Sequence, residues 1–385
     1  DVPEEEIRRE LVARSLHGVD LLDDAALLCS LRLWLALSQC DETVRPLPNL
    51  DRRIRQGDSL VDPLDLATAG VRPQLRWHPL RDAEVRRTLR AIEPAARAYV
   101  ESDPDERSVA RARLREAEAR LARHWVRGLQ RARGLQLREL DARAAERDLF
   151  GERPAAARTA AVEMRRIRDQ VEELAGIARR LEEDEALPFF SFGVHFAEAA
   201  QGFDLVISNP PWVRSHRWPA HIRGSADRFE VCRSPGWAAG AEMAGNPGAG
   251  AQVDLSLLFV ERSLGLLATG GVLAVLLPAK SFRALYGGAF RRMLLRDLDF
   301  TLIEDHGLDQ RAIFRADAFA GVIVGRKATE PGQAALQSGA EDHAPDGEDV
   351  PGVGAEGDAV DRVAVSGGSD GRTVRIRMTR RGVDP

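Results

Sequence analysis

Four consecutive residues, Asn209, Pro210, Pro211 and Trp212, have the types and the order needed to activate an aromatic amine. They directly follow the apolar run FDLVIS (203–208), which reads as a buried parallel strand, so they stand at its carboxyl end, where open α/β sheets bind ligands. The two prolines fix the backbone, and the Asn209 amide and the Pro210 carbonyl then present acceptors in a set direction. The lone pair of an aromatic amine is delocalised into its ring and attacks poorly. Two acceptors gripping its N–H groups favour a tetrahedral nitrogen and release that pair. Trp212 adds a flat face on which a base swung out of its stack can rest. The alternative is a strand-ending turn closed by a buried tryptophan.

Competing chemistries find little support. The eight histidines and three cysteines form no CxxC, HExxH or other ligand spacing, so no metal is expected, and His216, His221 and Cys232 read as an ordinary loop. No Walker loop occurs, and no G-x-S-x-G stands in the strand–turn–helix setting that an elbow needs. An odd cysteine count implies no disulfide framework and points to a reducing cytoplasm. No signal peptide opens the chain, and no apolar run approaches the roughly 20 residues of a membrane span. The net charge of -5 argues against nucleic acid only as an average. Acidic residues crowd 330–361, arginines dominate the middle, and local patches decide contact. Lys280 and Lys327 are the only lysines, an arginine bias read as codon usage in a GC-rich genome.

The elements that must position these residues fall into four stretches. In residues 1–79 a helical stripe through Ile7, Leu11 and Val12 stops at Gly18, and LHGVDL (16–21) reads as a short buried strand. A helix over 24–39 follows, capped by Asp23 or Asp24, and then a second strand over 54–60. Residues 80–187 are rich in Arg, Ala, Glu and Leu. Ile167, Val171, Leu174, Ala178 and Leu181 have a 4-3-4-3 spacing, and Leu114, Ala117, Leu121 and Trp125 extend the theme. Pro94, Pro104 and Pro154 divide this stretch into roughly three helices, an inserted coiled-coil-like hairpin or bundle. Residues 188–328 return to alternation: strands over 203–211 and 270–278 with a helix over 255–267 between them, then FTLIEDH (300–306) and FAGVIVG (319–325), close enough to pair antiparallel. Residues 329–385 read as a mostly disordered acidic, Gly-rich tail, with RTVRIRM (372–378) a strand lacking a partner. The loop from Val213 to Gln252 carries Arg214, Arg217, Trp218, Arg223 and Arg228 and reads as a DNA-facing loop that orders on binding, with disordered filler as the alternative.

FDLVISNPPW resembles the catalytic motif of amino-methyltransferases, and other segments resemble the adenine-specific DNA branch in order: HGVDLLDDAALLCSLRLWL, LPNLDRRIRQGDSL, PFFSFGVHFAEAAQGFDLVISNPPW and DLSLLFVERSLGLLATGGVLAVLLPAKSF. The series covers roughly residues 7–66 and 188–327. It is similar to the N6-adenine methylases of large restriction-modification and phage-defence systems. The resemblance implies a doubly wound, mostly parallel methyltransferase sheet with the helical insertion inside it. It also implies S-adenosylmethionine as cofactor and double-stranded DNA with a flipped adenine as substrate, with fused or separate nuclease or defence-system subunits as partners. By position, Asp20 accepts the cofactor's ribose hydroxyls, and Asp58 holds its adenine amine, with Gly57 allowing close approach. Asn209, Pro210, Pro211 and Trp212 form the target-base site. Phe314 is a second wall for the base or a core residue, Arg214 faces DNA, and Lys280 and Ser281 stand at the rim.

One departure matters. The family's Asp-Pro-x-x-Gly-x-Gly loop is expected shortly before Asp1 and is absent, and with it the first strand. The non-Met start favours truncation over degeneration as the expectation. Two other readings stay open: a methylase of protein glutamine or RNA bases, and an inactive module that binds DNA or a partner through its helices.

Overall fold

A computed structural model describes residues 2–39, 47–66, 79–102, 105–145, 155–183, 187–233, 253–284, 287–306, 319–329, 360–366 and 373–379. It is mixed α/β and divides into two compact units, 1–200 and 201–385. Among the described residues no helix is long and apolar enough to cross a membrane.

The first unit opens with α1 (Glu4–Glu10) and a π-helical turn, Leu11–Ser15, of which Val12 alone is buried. Strand β1 (Gly18–Asp20) leads into α2 (Asp23–Ser38), and β2 (Ile54–Gln56) then pairs with β1 in parallel, Gly18 opposite Ile54 and Asp20 opposite Gln56. Val12, Ala26, Leu37, Leu50 and Ile54 form a small core here, and the Trp34 indole donates to the Pro48 carbonyl at 2.9 Å. Both strands are shorter than their apolar runs, and β1 is half-buried to exposed rather than buried. Asp23 and Asp24 do not cap α2. They occupy its first turn, where their charge favours the helix dipole, while Asp20 takes the Leu22 N–H.

Three long helices follow the short α3 (Pro63–Leu66): α4 (Ala83–Glu101), α5 (Arg107–Ala145) and α6 (Ala155–Glu183). Asp82 caps α4 by accepting from the N–H groups of Glu84 and Val85. Pro94 does not end a helix as expected. It lies inside α4, whose Val85, Ile92, Ala96 and Tyr99 are buried in the core, and that packing outweighs the missing hydrogen bond. The expected seam on α6 divides. Leu174, Ile177 and Leu181 join Leu114, Leu121, Trp125 and Leu129 of α5, whereas Ile167 joins Met164 and Leu140 in a separate cluster. Between these clusters, buried Arg133 on α5 donates to buried Gln136, which donates to Glu163.

The larger cluster also takes in Leu64, Val194 and Ala197, from the short helices α3 and α7 (Phe192–His195) and the turn Ala197–Ala199. The helical stretch therefore shares one core with both of its flanks, and the break between units falls at 200/201 rather than at 79/80 or 187/188.

The second unit is a six-stranded mixed sheet in the order β3-β4-β6-β5-β8-β7. Strand β3 is Phe203–Ser208, β4 Leu267–Pro278, β5 Leu298–Asp305, β6 Ala320–Lys327, β7 Val360–Ser366 and β8 Thr373–Thr379. β3 runs parallel to β4, and β6 is antiparallel to both β4 and β5. Gly202 (φ +100°) turns the chain into β3, with its Cα so close to Ala268 that a Cβ would lie 2.4 Å from that residue's nitrogen. Two expectations are corrected. Among the described residues β3 pairs with β4 alone, at the edge of this sheet, and Leu205 and Ile207 are 52% and 73% exposed. The strand near 372–378 has partners after all: β8 lies parallel to β5 and antiparallel to β7, and β7 itself falls in the segment read as disordered. Helices α8 (Ala220–Ser225), α9 (Glu230–Arg233), α10 (Leu255–Leu266), α11 (Lys280–Arg283) and α12 (Gly288–Asp297) complete the unit.

Candidate functional site

In the second unit, the strand register sets the height of the motif. Ser208, the last residue of β3, lies beside Val275 of β4, so Asn209 begins beyond the carboxyl end of β3, while β4 runs on to Pro278. Asn209 is exposed, Pro210 is buried, and Trp212 is half-buried. A buried proline thus follows an exposed amide.

The chain beyond Trp212 is tied down. The Val213 carbonyl accepts the Trp218 indole N–H at 2.9 Å and the Leu255 N–H at 2.8 Å. Arg214, itself exposed, forms an antiparallel bridge with Asp254. The Asp254 carboxylate accepts from the N–H and hydroxyl of Ser256 at 3.0 and 2.7 Å, capping α10. Trp218, Ile222, Phe229 and Val231 are all buried. Glu261 of α10 accepts the N–H groups of Glu230 and Val231 at 2.8 and 3.0 Å, and Arg296 of α12 holds the Glu230 carboxylate through two bonds of 2.8 and 2.9 Å. The Arg296 guanidinium is shifted upward, first by its hydrogen bond to Asp297 and then by Glu230. Residues 213–233 are therefore built structure, a correction to the loop that orders only on binding. Trp218 faces the interior, because a large indole gains more from burial than an arginine does. Arg217 and Arg223 are exposed. Lys280 is exposed and Ser281 buried at the end of β4. Phe314 and residues 234–252 lie outside the described residues.

In the first unit the two expected cofactor acids sit at one end of the β1–β2 pair. The Gly57 N–H donates to the Asp20 carbonyl at 2.8 Å, which brings Asp58 to the same end as Asp20. Each carboxylate closes its own turn: Asp20 Oδ1 accepts from Leu22 at 2.9 Å, and Asp58 Oδ1 accepts from Leu60 and Val61 at 2.9 and 3.0 Å. Gly57 is a point of close approach, but to protein, since a Cβ there would meet the Cβ of Phe190 at 2.2 Å. Asp62, fully buried, accepts from Leu64 and Phe192 and joins this loop to α7.

Sequence reasoning missed the groups behind this pair. Phe190 stacks on His195 with ring centroids 5.2 Å apart. Burial, helped by the nearby Arg55 charge, lowers the His195 pKa to about 3. Glu198 accepts from His17, Arg52 and Arg53, and Arg55 donates to Glu118 of α5 at 2.8 Å. Burial pushes the Glu118 carboxyl up, against the pull of Arg55 and Arg52. Their signal was faint, because glutamates far along the chain look solvated until the fold brings them to arginines. The expected residues thus divide: Asp20 and Asp58 belong to the first unit, and Asn209 to Arg214 belong to the second.

The Eco57I restriction-modification methylase family matches residues 14–314, more than three quarters of the chain. Comparison with curated protein sequences gave no match. Among solved structures, a Listeria monocytogenes protein assigned as a class I S-adenosylmethionine-dependent methyltransferase is 14% identical, over 71% of this chain and 90% of its own, with a TM-score of 0.25. The type IIG restriction endonuclease BpuSI is 16% identical, over 70% of this chain and 37% of its own, at 0.24. A Vibrio vulnificus protein assigned as the modification subunit of a type I restriction enzyme is 13% identical, over 85% and 76%, at 0.25. Such scores leave the assignment to the family match, which spans both acids and the Asn-Pro-Pro-Trp motif: this chain belongs to the Eco57I restriction-modification methylase family and is an S-adenosylmethionine-dependent DNA methyltransferase.

Proposed function

We propose that this methyltransferase acts on the exocyclic N6 amine of adenine in duplex DNA, with the target base swung out of the helix. The observation that carries this reading is Asn209, an exposed amide before a buried proline, followed by a segment whose Val213 carbonyl is held by two donors. An acceptor pair fixed in this way suits an amine whose hydrogens must be gripped while its lone pair turns outward. The half-buried Trp212 offers the base a stacking face, and exposed Arg214, Arg217 and Arg223 offer cations to the phosphates.

The donor set fits the cofactor. Two carboxylates at one end of a parallel strand pair can accept from a ribose diol and an adenine amine, and one oxygen of each also accepts backbone N–H groups of its own turn. When bound, S-adenosylmethionine supplies a methyl group on sulfonium, open to in-line attack without metal or covalent intermediate. Asp20 and Asp58 then bind and orient it, while Asn209 and the Pro210 carbonyl hold the target amine. A DNA substrate puts the reaction in the cytoplasm, in restriction-modification or phage defence, alongside fused or separate nuclease subunits.

The test is transfer of labelled methyl groups to duplex DNA, followed by digestion to nucleosides. Label in N6-methyladenine is expected. Label in cytosine, RNA or protein glutamine would overturn the substrate assignment, and no transfer to any of them would favour an inactive binding module.

A further inference from the structure

Glu198 lies outside the motif and touches none of the residues assigned to substrate or cofactor, yet two arginines and a histidine converge on it. Its Oε1 is 3.0 Å from His17 Nε2 and 2.8 Å from Arg53, and its Oε2 is 2.5 Å from Arg52. Arg53 also meets the same His17 nitrogen, which either accepts from Arg53 or donates to Glu198, according to its tautomer. The side chains of His17, Arg52 and Arg53 are 9%, 6% and 11% exposed, and that of Glu198 is 27% exposed, so this is not a solvated surface pair. The His17 ring also packs edge-on against Phe196, two residues before Glu198, with centroids 4.7 Å apart.

The placement of these three side chains in the chain gives the cluster its meaning. His17 immediately precedes β1, and Arg52 and Arg53 immediately precede β2. One carboxylate therefore bonds to both strand entrances, at the end opposite Asp20 and Asp58. The strands are three residues long, so the ladder itself supplies few bonds to fix their register. A slip of one residue would move Asp20 by about 3.3 Å relative to Asp58 and turn its side chain to the other face.

We infer that Glu198 is a positioning residue: by holding the entrances of β1 and β2 together it sets the register that presents Asp20 and Asp58 at a fixed spacing. This rests on the reading of those two acids as the cofactor's partners.

The experiment uses the full chain and measures S-adenosylhomocysteine binding by calorimetry beside steady-state methyl transfer to DNA. Glu198→Ala is expected to raise the KM for S-adenosylmethionine and the Kd for S-adenosylhomocysteine about tenfold, the scale of losing one hydrogen bond to a charged group, with kcat at saturation within about twofold. Glu198→Gln keeps one acceptor oxygen and should recover most of the loss, and it carries the test if Glu198→Ala does not fold. The double variant Asp20→Ala/Glu198→Ala should lose clearly less binding than the sum of the two single losses, since Glu198 acts through Asp20 and its partner. Additive losses in the double variant, or wild-type binding in both Glu198 variants while Asp20→Ala binds weakly, would overturn the inference. Wild-type binding by Asp20→Ala would instead overturn the cofactor site on which it rests.

Discussion

The indole N–H of Trp218 donates to the carbonyl of Val213, the residue that follows Trp212, across 2.9 Å. Leu255 donates to the same oxygen, so the chain leaving the motif is fixed from two sides. Trp218→Phe keeps most of the buried ring and removes one donor, at a net loss of about 1 kcal/mol. The methyl-transfer rate should fall about fivefold while cofactor binding stays unchanged. An unchanged rate would mean that this bond does not help to aim the motif.

Trp212 should behave as a stacking platform. Trp212→Ala is expected to weaken productive binding of the target base by about 1–3 kcal/mol, and Trp212→Phe and Trp212→Tyr should retain much of the activity, because every aromatic ring offers a face. Measuring KM for DNA against kcat checks this. Equal losses in all three variants would argue that the indole N–H, rather than the ring face, matters.

The first unit should lose stability in acid in two stages. His195 is half-buried and is held to a pKa of about 3, by burial first and the Arg55 charge second, against an ordinary value of 6.5. The unfolded chain takes up that proton first, so the contribution is complete above pH 6.5 and is lost as pH falls towards 3. For Glu198, burial is the largest single influence and raises the pKa. It is outweighed by the His17 hydrogen bond and the Arg52 and Arg53 charges, leaving the carboxyl at about 2 against 4.5. Its contribution is complete above pH 4.5 and is lost as pH falls towards 2. Melting temperatures should decline from pH 6.5 downward, and His195→Gln should flatten the decline between 6.5 and 4.5. An undiminished slope in His195→Gln would contradict the assignment.

Glu261 takes two backbone N–H groups at the start of α9. Glu261→Ala leaves both without that acceptor and should speed amide exchange at Glu230 and Val231, with little change in global stability. Exchange equal to wild type would show that other contacts hold this segment.

Much of this architecture can be read from the residues. The runs at 203–208 and 270–278 became β3 and β4 because stretches rich in β-branched and leucine side chains fit a pleated strand, although β3 is left largely exposed, and the short spacing of 300–306 and 319–325 imposed the antiparallel pairing of β5 and β6. Pattern failed where tertiary packing outweighed it. Pro94 stayed helical because its neighbours are buried, and Trp218 turned inward from among arginines. Strand β7, VDRVAVS, alternates too weakly amid Gly and Asp to stand out alone, and it pairs with β8. At the site, Asn209 and the two acids could be picked out by type and order. The salt-bridged Glu198 could not, since its partners are about 145 to 181 residues away.

The most direct measurement is single-turnover methyl transfer by Asn209→Ala in the full chain, with S-adenosylmethionine binding and thermal melting recorded beside it. Asn209 is exposed and outside any strand, so its removal should leave folding and cofactor binding nearly intact. Losing an aimed acceptor typically costs on the order of 100- to 1000-fold in rate, and formation of N6-methyladenine should fall by that much. Wild-type transfer to adenine by Asn209→Ala would contradict the account.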